Sequence, residues 1–205
     1  MSKRVAHILG NGDSAIFYKP AKGIKVACNL PPFDWIENIF ISCMVDFKMM
    51  KALHEGSVIN PYKWVLGYRP KIYCEKSPNF YMEHGEKVKE FYTTLPKYAG
   101  KGGQGYTNFN CGHFATHYTC NKLKAEEVHL YGFDSIFNFD TRSKTDFYLS
   151  SDREVKNTQR LVDNWRPIWK GIFNEFSDTQ FVLYCPHDKA KIDLPENVDI
   201  RVGKA

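Results

Sequence analysis

Long apolar runs are missing from this sequence, since none approaches the roughly 18 residues that a membrane-spanning helix needs. Internal repeats and the Pro/Gly/Ser-rich or single-sign stretches that mark a disordered tail are missing as well. What remains is a globular composition, with 43% hydrophobic and 25% charged residues. We therefore expect a single domain over residues 1–205, large enough to fold without disulfides.

The six cysteines form no C-x-x-C pair and follow no secretory leader, which favours reduced thiols in a cytoplasmic protein. The net charge of +5 permits a phosphate-bearing ligand or a nucleic acid but requires neither. Aromatic residues make up 15% of the chain, and many tyrosines stand in polar stretches. These tyrosines either pack in the core or form a surface on which bases and sugars stack.

Apolar runs of strand length alternate with stretches of helical spacing, which predicts an α/β fold with a mostly parallel sheet flanked by helices. The predicted strands cover residues 4–9, 24–28, 39–45, 71–74, 126–134, 180–184 and 198–202, and the predicted helices cover 46–53, 81–95, 111–123 and 154–176. Pro167 should kink or divide the last helix. The four glycines within 98–110 predict a mobile loop, and the polar, aromatic stretch 135–152 has the length of a lid.

Two glycines follow the first predicted strand, in the loop Gly10-Asn11-Gly12-Asp13-Ser14. Such a loop can bring backbone N–H groups to a phosphate, or it can be a turn that needs glycine. It lacks the third glycine of a dinucleotide fingerprint and the lysine of a P-loop. The sequence alone leaves both interpretations open.

Two further strand ends carry polar side chains. Asn29 follows the second strand and could bind a ribose or a base edge, or simply begin the proline turn after it. Asp134 follows the strand near residue 130 and could bind a sugar hydroxyl, accept a proton, or cap a turn. In open α/β sheets ligands bind outside such strand ends, so these positions are candidates for one site.

Cys111, Gly112 and His113 begin a predicted helix, and their N–H groups could face a phosphate, with His113 as a ligand contact. His113 and His117 share a helix face, but a zinc site needs further ligands that the sequence does not supply. We therefore expect no metal.

The remaining candidates surround the predicted lid. Arg142, Lys144 and Arg153 could close over phosphates or be solvated charges. Tyr148 could donate its hydroxyl to a departing phosphate or pack down as an aromatic, and His187 is a candidate base or a structural histidine.

Three pieces of the sequence, in this order, resemble a known pattern: "HILGNGDS", "VACNLP" and "NCGHFATHYTCNKLKAEEVHLYGFD". They are similar to the Rossmann-like domain shared by bacterial lipooligosaccharide sialyltransferases and the motility accessory factor or hydroxymethylpterin pyrophosphokinase-like proteins. That pattern has a strand ending in G-N-G-P-S, a second strand ending in asparagine, a helix that starts with small residues, and a strand ending in G-[IF]-D. Asp13 stands where the pattern has proline, and no histidine precedes His187 after the last motif.

The resemblance implies a nucleotide-activated donor held by the Gly10–Ser14 loop, Asn29 and the Cys111-Gly112 helix start, with a lid after Asp134. The expected function is a metal-independent glycosyltransferase-like enzyme that moves a sugar from a nucleotide to an acceptor hydroxyl on a glycan or a modified nucleic acid. Asp134, His187 and Tyr148 are then the candidate catalytic residues. The alternative is a binding module that uses the same cleft for a nucleotide or nucleic acid without catalysis.

Overall fold

The computed structural model describes residues 3–137 and 155–203. Within them, eight strands form one sheet: β1 (Val5–Leu9), β2 (Ile24–Cys28), β3 (Ile41–Met44), β4 (Trp64–Leu66), β5 (Val88–Phe91), β6 (Glu127–Tyr131), β7 (Gln180–Cys185) and β8 (Val198–Val202). The helices are α1 (Phe47–His54), α2 (Tyr68–Lys76), α3 (Pro78–His84), α4 (Gly102–Asn108), α5 (Cys111–Asn121) and α6 (Val155–Glu175).

All seven strand pairings are parallel, in the order β5-β4-β3-β2-β1-β6-β7-β8. The predicted α/β, Rossmann-like architecture is therefore confirmed. The chain builds the sheet outwards from β1 in one direction as far as β5 and then returns to the other side of β1 with β6. Strand order thus reverses between β1 and β6, which is where ligands bind in folds of this kind.

The sheet is buried by helices on both faces. On one face, Ile8, Val128 and Phe181 pack with residues of α5 and α6 such as Phe114 and Trp169. On the other face, side chains of β3 and β4 pack against α1, α2 and α3 in a second core that contains Met44, Met50, Trp64, Leu66 and Phe80. Burial of both faces explains why the strands lack an alternating pattern.

Several predicted elements are wrong. Residues 71–74 belong to α2, whose Pro70 lies in the first turn, where the missing N–H leaves no hydrogen bond unmade. The predicted helix 81–95 is the end of α3 followed by β5, which pairs with the three-residue strand β4 that the sequence did not reveal. Of the two effects expected of Pro167, division of the last helix is wrong, since α6 runs unbroken from Val155 to Glu175. The predicted lid at 135–152 falls largely on residues 138–154, which lie outside the described part of the chain.

The predicted glycine-rich loop at 98–110 contains a helix, α4. A Cβ atom on Gly105 would lie 2.7 Å from Leu95 Cδ2 and 2.9 Å from the backbone of Gly100. The absence of a side chain at Gly105 therefore allows α4 to pack closely against the segment around Leu95 and Gly100. A glycine required for close packing and a glycine in a mobile loop look the same in the sequence.

Candidate functional site

The candidate cleft lies at the carboxyl ends of β1 and β6. The Gly10–Ser14 loop follows β1 and the Gly132–Asp134 turn follows β6, and the two are joined by backbone hydrogen bonds. Gly10 N–H donates to Tyr131 O at 2.7 Å, and Gly12 N–H donates to Gly132 O at 3.0 Å. The structure thus brings together the first and third of the loops that the sequence predicted to share a site.

Contact between these two loops explains why glycine occupies positions 10, 12 and 132. A Cβ atom on Gly10 would lie 2.8 Å from Gly132 O, and one on Gly12 would collide with the Asp134 carboxylate. Gly132 itself has φ +82°, in the left-handed region that glycine adopts without strain. The glycines are therefore required by the packing of one loop on the other, whether or not a ligand approaches them.

Asp134 is the acidic group of the cleft. It is buried, and its carboxylate accepts the Ser14 N–H at 3.1 Å, while Ser14 Oγ accepts the Gly132 N–H at 3.1 Å. Burial raises the pKa of Asp134, and the hydrogen bonds from Ser14 act in the opposite direction. The Asp134 carboxylate thus accepts a hydrogen bond from the Ser14 N–H, which belongs to the loop expected from the sequence to bind a phosphate. The neighbouring Asp13 is exposed.

Asn29 adopts a left-handed backbone conformation with φ +62° at the end of β2. Its carbonyl accepts hydrogen bonds from Ser42 Oγ at 2.5 Å and from Asn60 Nδ2 at 2.8 Å. Asn11 joins the first loop to the same strand end, because its Nδ2 donates to Cys28 O at 2.8 Å. No pattern in the sequence indicates the supporting roles of Ser42 and Asn60, since these residues meet Asn29 only in the folded sheet.

The N-terminus of α5 faces the same edge of the sheet. Cys111 Sγ lies 2.9 Å from Cys43 O at the end of β3, and a Cβ atom on Gly112 would lie 2.5 Å from Phe133. The first N–H groups of a helix have no partner within it, and those of Cys111 and Gly112 have none among residues 3–137 and 155–203. Hydrogen bonding with Cys28 and burial raise the pKa of the Cys111 thiol well above its usual value.

His113 lies in the core below this helix start. Its Nδ1 accepts the Asn110 N–H at 3.1 Å and its Nε2 contacts Trp165 O at 3.1 Å, and burial lowers the pKa of His113 to about 3. His117 is also buried, between Tyr92 OH at 2.7 Å and Glu175 Oε2 at 3.3 Å. In the described part of the chain, no three His, Cys, Asp or Glu side chains are arranged to hold a metal ion.

His187 follows β7 and lies beside the β6 turn. Its ring contacts Phe137 edge to face at 5.9 Å, and its Nδ1 accepts the Lys189 N–H at 3.2 Å. The candidate base therefore stands one strand away from Asp134, at the same edge of the sheet. Tyr148, Arg142, Lys144 and Arg153 lie outside the described residues.

Strand order and strand-end loops together define a Rossmann-like α/β protein with a candidate ligand cleft at the reversal of the sheet. A scan against protein-family models and searches of curated proteins and solved structures found no match for the chain. None of the described helices is both long enough and apolar enough to cross a membrane.

Proposed function

We propose that the protein is a nucleotide-sugar-dependent transferase whose donor binds in the cleft between the ends of β1 and β6. The observation that supports this function is the meeting of four predicted segments at the strand reversal: the Gly10–Ser14 loop, Asn29, the α5 N-terminus and the Gly132–Asp134 turn. Ligands of Rossmann-like folds occupy this position because the adjacent loops diverge there.

The geometry favours the α5 N-terminus as the phosphate subsite. The N–H groups of Cys111 and Gly112 are available, and the helix dipole adds positive potential at the same point. In contrast, the N–H groups of Gly10, Gly12 and Ser14 already donate to protein acceptors. In this proposal the first loop forms a wall of the cleft, and the Asn29 amide binds a ribose hydroxyl or a base edge.

Sugar transfer requires a base for the acceptor hydroxyl. As the acceptor oxygen forms its bond to the anomeric carbon, the bond from that carbon to the phosphate oxygen breaks and the nucleotide leaves with the electron pair. Asp134 and His187 stand at the ends of β6 and β7 as candidates to take the hydroxyl proton. The raised pKa of Asp134 suits a proton acceptor better than an ordinary carboxylate would.

Thermal unfolding in the presence of nucleotides and nucleotide sugars tests this proposal. A ligand at 100 times its dissociation constant adds about 2.7 kcal/mol to the free energy of unfolding.

Asn29→Gly should weaken the nucleotide-induced rise in Tm, since glycine keeps the left-handed backbone and removes only the amide. Asn38→Gly is the matched control, because Asn38 also has a left-handed backbone, with φ +58°. The absence of a rise with every nucleotide would contradict the proposal.

A binding module without turnover is the second candidate. The observation that favours it is that the Asp134 carboxylate already accepts the Ser14 N–H and so holds the first loop in place, rather than being free to accept a proton. Incubation with the donor that gives the largest rise in Tm separates the two: turnover supports the enzyme, and binding without turnover supports the module. If nucleic acid is the ligand, its affinity should fall steeply as salt is added.

A further inference from the structure

The strand β8 leaves one edge of the sheet open. Among the described residues it pairs with β7 alone. Gly203 N–H donates to Cys185 O at 2.9 Å where this pairing ends. Backbone groups of successive strand residues point to opposite sides, so alternate residues counted back from Gly203 bond to β7. The N–H and C=O groups of Ile200 and Val202 therefore point away from the sheet, towards the open edge.

The side chains of β8 divide between the two faces of the sheet. Asp199 and Arg201 lie on one face and are exposed. Ile200 packs against the core on the other face, and Val202 beside it is 53% exposed. The register with β7 runs from Val198 to Val202 without a bulge. The edge thus lacks the proline or bulge with which many proteins prevent another strand from pairing.

The order of residues in β8 is complementary to itself. The strand reads Val-Asp-Ile-Arg-Val, so the reversed strand has the same pattern with the acid and the base exchanged. When two copies pair antiparallel about Ile200, Asp199 of each copy lies opposite Arg201 of the other. Opposite charges on facing residues stabilise a pair of strands, whereas like charges destabilise it.

The hydrogen-bonding geometry of the edge selects the same register. In an antiparallel pair, two facing residues exchange both of their N–H···O bonds or neither. Because its backbone groups point outwards, Ile200 can exchange two such bonds with Ile200 of a second copy. Asp199 and Arg201 then face each other as a pair without hydrogen bonds, in which side chains approach most closely.

Other registers and the other edge of the sheet lack this match. Centring the pair on Asp199 or on Arg201 would place identical charges opposite each other. The strand at the opposite edge, β5, has Lys89 and Glu90 in adjacent positions. A symmetric pair centred on either residue sets that charge against its own copy. Charge therefore favours self-pairing at β8 and opposes these registers at β5.

We propose that the β8 edge binds a second copy of this chain, by antiparallel pairing centred on Ile200 that makes the two sheets continuous. Within one copy, Asp199 accepts Gln180 Nε2 at 3.0 Å. Arg201 Nη1 donates to Tyr184 OH at 3.1 Å. A carboxylate and a guanidinium have further acceptors and donors for the facing strand. Since the two strands run in opposite directions, the candidate clefts of the two copies lie at opposite edges of the joined sheet.

Self-association of the unmodified protein is the first test. Sedimentation velocity should show a reversible dimer as the concentration rises to about 200 µM, because a small interface binds weakly. Hydrogen exchange at the Ile200 and Val202 amides should slow as the dimer forms. A protein that stays monomeric over this range overturns the proposal, even if the edge pairs with a strand of another protein.

Charge reversal assigns the dimer to β8. Asp199→Arg and Arg201→Asp should each weaken it by about tenfold or more, because like charges then face each other. A mixture of the two variants should form a heterodimer, since one strand is then basic and the other acidic. The variant that carries both substitutions should recover the dimer, because acid and base are exchanged but still face each other.

The backbone of β8 is tested at Val202. In the proposed register the Val202 N–H donates to Val198 O of the second copy, whereas the Val198 N–H already donates to Pro195 O of its own chain. Val202→Pro removes this donor and should abolish the dimer, and Val202→Thr keeps the donor and should retain it. Proline is accepted where the N–H of an edge strand faces solvent, and melting curves establish that each variant is folded.

Dimerisation elsewhere on the molecule would give a different result. A dimer that survives Val202→Pro and both single charge reversals does not use the β8 edge, and it overturns the proposal. Loss of the dimer in the single reversals without its recovery in the mixture or in the double variant also contradicts the proposed register.

Discussion

Single atoms decide whether the cleft can form, and Gly12 is the clearest case. Its missing Cβ leaves room for the Asp134 carboxylate and for Gly132 O, which would lie 2.7 Å from that atom. The two loops on either side of the strand reversal are therefore in backbone contact. A motif of two glycines is explained at this scale by packing, before any ligand is considered.

Gly12→Ala should destabilise the fold by about 1–3 kcal/mol, because the added methyl group forces the β1 loop away from the β6 turn. Denaturant unfolding followed by circular dichroism measures the change. Gly103→Ala is the control, since a Cβ atom there meets nothing and alanine favours a helix by up to about 1 kcal/mol. Equal stability of Gly12→Ala and the unmodified protein would show that the loops do not touch as described.

The N-terminus of α5 is the element that positions the proposed phosphate subsite. Asn110 Oδ1 accepts the His113 N–H at 3.0 Å, and the His113 ring accepts the Asn110 N–H, so the first turn is closed from both sides. This reciprocal arrangement is a capping box in which histidine takes the place of the usual glutamate. Its effect is to fix the first turn of α5, which carries the Cys111 and Gly112 N–H groups.

Asn110→Ala should cost about 1 kcal/mol of stability and weaken nucleotide binding, because the helix start loses its cap. The free energy of unfolding and the nucleotide-induced rise in Tm are both measured. Ser77→Ala serves as the comparison, since Ser77 occupies the N-cap of α3 without a capping hydrogen bond. A loss of stability equal to that of Ser77→Ala would argue against the capping box.

The elements that the sequence predicted correctly are those whose pattern is local. β2 and β8 agree residue for residue with the prediction, and α5 begins at Cys111 as expected, because an apolar run or a capping asparagine marks each of them. β4 and β5 were missed because short strands are stabilised by their neighbours in the sheet rather than by their own residues.

At the scale of the whole molecule, buried histidines connect stability to pH. The rings of His7 and His129 stack with centroids 4.9 Å apart on neighbouring strands, and their Nε2 atoms lie 3.0 Å from Lys22 O and 2.8 Å from Glu127 Oε1. Burial lowers the pKa of both, and it also lowers the pKa of His113 and His117. The folded protein thus keeps these rings neutral at pH values at which the unfolded chain protonates them.

We therefore expect stability to be steady above about pH 6.5 and to fall as the pH decreases below it, since the unfolded chain then binds more protons than the folded one. Each unprotonated histidine contributes up to about 1.4 kcal/mol per pH unit. Urea midpoints between pH 8 and pH 5 measure the slope. His129→Gln should reduce it, because the glutamine side chain binds no proton in this range. A flat profile down to pH 5 would contradict the burial of these rings.

The class of the fold and the polar residues at the strand ends follow from the sequence, because alternating apolar runs and turn residues are properties of neighbouring positions. The contacts that these residues make follow from the folded chain alone. The structure shows that the glycines of the first loop serve contact with the β6 turn, that Asp134 binds the loop N–H groups, and that His113 lies in the core. The first two facts depend on hydrogen bonds between residues more than a hundred positions apart, as in the pair Ser14 and Asp134, and the third depends on the packing of α5 against α6, where His113 Nε2 contacts Trp165 O; no local pattern records either.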